Sequence, residues 1–141
     1  MRIVLDTHVL VSAFLKPASD AARVLRLVLQ GDLEIVFNEH ILAEYMEVLS
    51  RPRFGLDQRK VRAVLEYLRS VGTVAPAVAS SFRLPDPDDE PFLGVALAGQ
   101  VDYLVTGNLA DYPAERRRAC AVVGPAEFMR VWRKESQSEG P

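Results

Sequence analysis

Asp6 directly follows the apolar run RIVL at residues 2–5. Open parallel sheets place ligands outside the carboxyl ends of their strands, so a polar residue straight after a buried strand stands where chemistry is expected. An Asp in that place also serves phosphatases, nucleotide-binding folds and plain helix caps, so by itself it does not choose between them. Glu44 lies in EHILAEYMEVL, residues 39–49. At about 100° per residue, Ile41, Leu42, Tyr45, Val48 and Leu49 fall on one arc of a helix, with Glu44 flanking that arc and Glu47 pointing away. A carboxylate at the rim of a core-facing surface must be paired or solvated through a cleft. Glu39, at the helix start, reads as a favourable partner of the helix dipole.

A third group is the run D-P-D-D-E-P-F-L from Asp86 to Leu93. Asp88 can cap a helix there, Pro91 fits its first turn, and Phe92 and Leu93 begin a buried stripe. Asp89, three and four residues before them, starts on the same side and faces the sheet. Four acidic residues, Asp86, Asp88, Asp89 and Glu90, exceed what capping requires, and packing like charges is costly unless a cation neutralises them. The fourth group is Thr106-Gly107-Asn108, after the apolar YLV, with Asp111 following. Thr106 and Asn108 suit a phosphate or a metal's water, although Gly-Asn is also a common turn pair. Hard oxygen donors without clustered His or Cys point to Mg²⁺ or Mn²⁺. His8 and His40 are isolated. Cys120 is the only cysteine, which excludes an internal disulfide and a thiolate zinc site, and it reads as core packing.

The elements that must position these residues follow from the hydropathy pattern. Residues 2–5, 33–37, 103–106 and 121–123 read as buried strands, with a further short one near Val74. Helix-period stretches run over 19–30, 39–50, 57–70, 89–99 and 125–133. Alternation of this kind implies right-handed crossovers and a mostly parallel sheet covered on both faces, a three-layer α/β/α class. At 141 residues, 49% hydrophobic and 26% charged, the chain reads as one globular domain over 1–133, with a tail over 134–141 that lacks apolar anchors and is expected to fray. No apolar run approaches the ~20 residues of a membrane span, and with no signal-peptide core the expected location is the cytoplasm. The net charge of −2 gives no global attraction to nucleic acid. Its distribution is more informative: Arg51, Arg53, Arg59, Lys60 and Arg62 form one basic stretch, and Arg116, Arg117, Arg118, Arg130, Arg133 and Lys134 supply another.

The ordered set Asp6-Thr7, Glu44, D86-P-D-D-E-P-F-L and D102-Y-L-V-T-G-N resembles the PIN-domain ribonucleases, in particular the toxins of toxin–antitoxin pairs (VapC-like), over roughly residues 2–131. The resemblance implies a PIN-like, Rossmann-related fold and makes Asp6, Glu44 and Asp89 the metal-binding carboxylates. It adds Asn108 to the catalytic set, where many members carry a further Asp, and gives Thr7 and Thr106 the positioning of water or substrate. It further implies RNA as substrate, a cognate antitoxin whose peptide enters the groove, and a homodimer. Two departures stand out: His8 replaces an Asn common in the family, and Asn108 replaces the Asp, leaving three matched carboxylates.

The expected chemistry is metal-assisted hydrolysis of RNA phosphodiester bonds, with the basic stretches seating the backbone outside the acidic pocket. Two rivals remain at this level. One is a catalytically weak or inactive RNA-binding scaffold, favoured by Asn108. The other is an aspartyl-phosphate phosphatase acting through Asp6, disfavoured because D-T-H lacks a second Asp two residues on and no later loop offers a well-placed Lys.

Overall fold

A computed structural model describes residues 1–76, 84–113 and 120–138, with side chains to residue 136. Four apolar stretches and one short edge segment form the strands β1 (Arg2–Leu5), β2 (Glu34–Phe37), β3 (Thr73–Val74), β4 (Tyr103–Val105) and β5 (Val122–Val123). They make a sheet of order β3-β2-β1-β4-β5, in which all pairings are parallel. The expected mostly parallel sheet is thus wholly parallel among the described residues. The helices are α1 (Thr7–Leu15), α2 (Asp20–Leu29), α3 (Glu39–Leu49), α4 (Gln58–Val71), α5 (Glu90–Ala98) and α6 (Pro125–Ser138), completing a three-layer α/β/α architecture. Helix α5 packs on β1, β2 and β4, while α2 packs on α1 and α6.

Helix α1 is absent from the sequence reading, and its composition explains why. THVLVSAFL is apolar almost all round, with Val9, Leu10, Val11 and Ala13 buried, so no 3.6-residue alternation marks it. Helix α6 continues to Ser138, so the segment from Lys134, expected to fray, begins as helix. The basic residues Arg116, Arg117 and Arg118 lie outside the described residues.

The core gathers around Ile3, Leu5, Phe37, Tyr45, Phe92 and Phe128, each buried. Cys120 is buried, as expected of a packing residue, and burial pushes its thiol up to about 11. Close packing also fixes Gly72 between α4 and β3. A Cβ there would meet the Phe37 ring, the Leu68 carbonyl oxygen at 2.8 Å and the Ile35 Cγ2 at 2.9 Å.

The chain leaves β1 towards β2 and β3 on one side, and β4 and β5 lie on the other. This reversal makes a crevice at the carboxyl ends of β1 and β4, where an open α/β sheet takes ligands. Asp6 and Thr106 are the residues that follow those two strands.

Candidate active site

Asp6 ends β1 and caps α1, its Oδ1 accepting from the His8 amide at 3.4 Å. Across the crevice the Thr106 hydroxyl donates to its Oδ2 at 2.7 Å, and the Asp6 amide donates to the Val105 carbonyl at 3.0 Å. Asp6 is only 3% exposed, yet these bonds leave it facing a cleft of about 120 Å³ that Thr7, His8, Glu44, Asp86, Asp88 and Asp89 also line.

Glu44 reaches that cleft because α3 is pinned at two places. Asn38 caps its start, accepting from the Ile41 amide at 2.8 Å. The buried Tyr45 hydroxyl donates to the Leu5 carbonyl at 2.5 Å, tying α3 to the end of β1. Burial, with Asp6 and Glu44 nearby, holds the Tyr45 hydroxyl protonated by raising its pKa well above the usual phenol value. The Thr7 hydroxyl donates to Glu44 Oε2. Glu47, as its place on the helix required, points away and pairs with Arg51 at 2.8 Å.

The acidic run before α5 folds as a 3₁₀ turn over Pro87–Asp89. Here the structure corrects a sequence expectation: Asp86 rather than Asp88 caps, accepting from the Asp88 amide at 3.0 Å. The turn advances the chain by a tighter step than an α-helix, which moves the cap two residues upstream. Asp89 makes no capping bond and is buried to 8% exposure, facing inward as expected.

Asp111 comes from another 3₁₀ turn, Leu109–Asp111, after β4. Carboxylate oxygens of Asp86, Asp89 and Asp111 lie within 4.8 Å of one another. Among the described residues this is the one group of three or more acidic, His or Cys side chains so placed, and two of its members were not named as ligands from sequence. The surplus of acid around Asp89 was the available signal for Asp86; nothing local marks Asp111. Burial, a hydrogen bond with Asp111 and the charges of Asp6, Asp86 and Asp111 push the Asp89 carboxyl up to about 8. Such a cluster holds a proton where a cation would otherwise stand.

Three expectations change in detail. Asn108 is exposed and is not among the residues lining the cleft; its Nδ2 donates to Asp111 Oδ2 at 2.7 Å, so it holds a carboxylate of the cluster. Thr106 is fully buried, and its hydroxyl bonds Asp6 on one side while accepting from the Asn108 amide at 3.2 Å on the other. Thr7 is buried and bonded to Glu44. Both threonine hydroxyls are therefore bonded to carboxylates. His8 is exposed at the cleft, and His40 is exposed on α3 away from it.

An all-oxygen set of clustered carboxylates fits a hard divalent cation such as Mg²⁺ or Mn²⁺, and the raised Asp89 carboxyl is the electrostatic demand that such a cation meets.

No curated protein matches the chain. Among solved structures, a chain of the VapBC2 complex from Rickettsia felis, determined bound to a DNA fragment from their promoter, superposes with a TM-score of 0.56. That match covers 88% of this chain and 98% of that one at 16% identity, and so speaks to the fold. The family model of the PIN domain matches residues 2–110, which span β1 through the turn that carries Asn108, and on that match the chain belongs to the PIN-domain family.

Proposed function

We propose that this protein is a Mg²⁺- or Mn²⁺-dependent endoribonuclease that hydrolyses RNA phosphodiester bonds, and that it is the toxin of a toxin–antitoxin pair. The observation that carries the reading is the convergence of Asp6, Glu44, Asp86, Asp89 and Asp111, from four separate parts of the chain, at the carboxyl ends of β1 and β4. PIN domains are nucleases generally and generally use divalent metals, which supports both the activity and the cofactor.

Asp6, Glu44 and Asp89 are the proposed catalytic carboxylates and metal ligands, joined by Asp86 and Asp111 on the geometry of the cluster. Bound there, the cation would lower the pKa of water and offset charge on the phosphate in an in-line displacement. The chain's own groups do the rest. Thr106 and Thr7 fix the orientations of Asp6 and Glu44, so that neither carboxylate must reorganise when substrate arrives. Asn108 belongs to the machinery as the group that holds Asp111 in place. Tyr45 keeps the two ligand-bearing elements at a fixed separation through Leu5. The cleft between them admits a phosphate while excluding bulk solvent from Asp6 and Thr106.

The toxin role, a cognate antitoxin and a homodimer are proposed together, supported by the fold shared with the VapBC2 complex. A cytoplasmic location is proposed for the same reason; among the described residues no helix is long and apolar enough to cross a membrane. The nuclease domain is proposed to end near residue 133, with the last residues as a tail.

Purified protein incubated with total RNA and Mg²⁺ or Mn²⁺ should produce fragments that vanish with EDTA and with Asp6→Asn. Cleavage that persists in both controls, or none with either metal, overturns the reading; RNA binding without cleavage would favour the scaffold alternative.

A further inference from the structure

Arg51 is out of character with its surroundings. Of the described residues lining the cleft, five are carboxylates, and Arg51 is the one guanidinium. Its backbone is fixed: the Arg51 amide donates to the Val48 carbonyl at 3.2 Å, and Pro52 opens a 3₁₀ turn immediately after it. Its side chain is fixed too. Nε donates to Glu47 Oε1 at 3.2 Å and Nη2 to Oε2 at 2.8 Å, a parallel two-bond fork from one turn earlier on α3.

The fork lies on the surface, where an ion pair adds little to stability, so its consequence is geometric. An unrestrained arginine beside so many carboxylates would fold in among them and occupy the place of a cation. Glu47 keeps Arg51 at the rim instead, and no ion pair joins it to Asp6, Glu44, Asp86, Asp88 or Asp89. A guanidinium carries five N–H donors. Glu47 engages two, and among the described residues nothing accepts from Nη1. A positive group with unspent donors, held at the edge of an anionic cleft, suits an oxyanion that arrives alongside the cluster.

We propose that Arg51, held by Glu47, is a phosphate-binding residue that seats the RNA backbone beside the carboxylate cluster. The inference rests on the RNA-cleaving reading and adds to it the group that offsets repulsion between substrate and site. Gln58 Nε2 donates to the Leu49 carbonyl at 3.1 Å, tying the start of α4, which carries the exposed Arg59, Lys60 and Arg62, to the end of α3.

The test is binding of a single-stranded RNA oligonucleotide in EDTA, titrated with KCl, followed by steady-state cleavage with Mn²⁺. Arg51→Gln should weaken binding at low salt about tenfold, as expected for a charge-assisted bond. It should lower the slope of log K against log salt by about 0.7, one phosphate contact on a single strand. In cleavage it should raise KM with kcat nearly unchanged, the pattern of a contact made equally in ground and transition states. Arg51→Lys should keep the slope but lose part of the affinity, because Lys cannot form the fork with Glu47. An unchanged slope and KM in Arg51→Gln overturns the proposal even where the wild type cleaves RNA. If the wild type binds RNA without cleaving it, the nuclease reading fails while the salt slopes still decide the role of Arg51. Absence of both RNA binding and RNA cleavage by the wild type overturns both.

Discussion

Asp89→Asn separates electrostatic strain from function. The Asp89 carboxyl titrates at about 8, against 3.8 for a free Asp, because it is buried and shares its surroundings with Asp6, Asp86 and Asp111. Between those two values the folded protein holds a proton that the unfolded chain has released. Stability in the absence of metal must therefore fall as pH rises from about 4 to about 8. Full conversion of the shift would be about 6 kcal/mol at pH 8, and since Asp89 opens onto a solvated cleft, about 3 kcal/mol is the working figure. Asn removes the titration, keeps the side-chain volume and can still donate to Asp111 through its NH₂. Urea unfolding in EDTA should find Asp89→Asn near wild-type stability at pH 4 and about 3 kcal/mol more stable at pH 8, a gain of roughly 8 °C in Tm for a chain of this size. Adding Mn²⁺ at pH 8 should stabilise the wild type strongly and the variant weakly, while RNA cleavage by the variant is lost. A variant less stable than wild type at pH 8, or a wild type whose stability rises from pH 5 to pH 8 with no counterpart in the variant, would refute the electrostatic account of the cluster.

Glu44→Gln should cut kcat for RNA at least tenfold more than Glu47→Gln, because Glu44 lines the cleft and Glu47 acts only through Arg51; equal losses in kcat would mean that Glu44 does not touch the chemistry. Asn108→Ala should reduce cleavage moderately and weaken Mn²⁺ binding by calorimetry, because it frees the ligand Asp111, whereas Asn108→Asp should tighten Mn²⁺ binding and destabilise the metal-free protein through repulsion with Asp111. Tighter metal binding in Asn108→Ala would contradict the first half of that pair. Gly72→Ala should destabilise by about 1–3 kcal/mol in urea unfolding, since its Cβ meets the Leu68 carbonyl oxygen, which cannot yield without shifting α4; a neutral result would show that the α4–β3 junction relaxes freely.

Much of this molecule follows from residue order alone. Four of the five strands are short apolar runs, and a run buried on both faces must lie in a covered parallel sheet, so the α/β class needs no tertiary information. The same logic placed Asp6 at a strand end, Glu44 at the rim of an apolar arc and Asp89 facing inward, because in each case a period of the residue's own element fixes where its side chain points. Periodicity is silent where an element is apolar all round, and so α1 emerged only in the folded chain. It is also silent about partners. The Thr106–Asp6 bond joins residues 100 positions apart, and the Thr7–Glu44 bond spans 37. The family resemblance assigned those threonines to water or substrate; packing shows their hydroxyls bonded to carboxylates. The same holds for Asp111, which joins Asp86 and Asp89 through two 3₁₀ turns, and for Arg51, which Glu47 anchors at the mouth of the cleft. A sequence sets the direction of a side chain relative to its own helix or strand, while only the docking of those elements decides which distant group stands at its end.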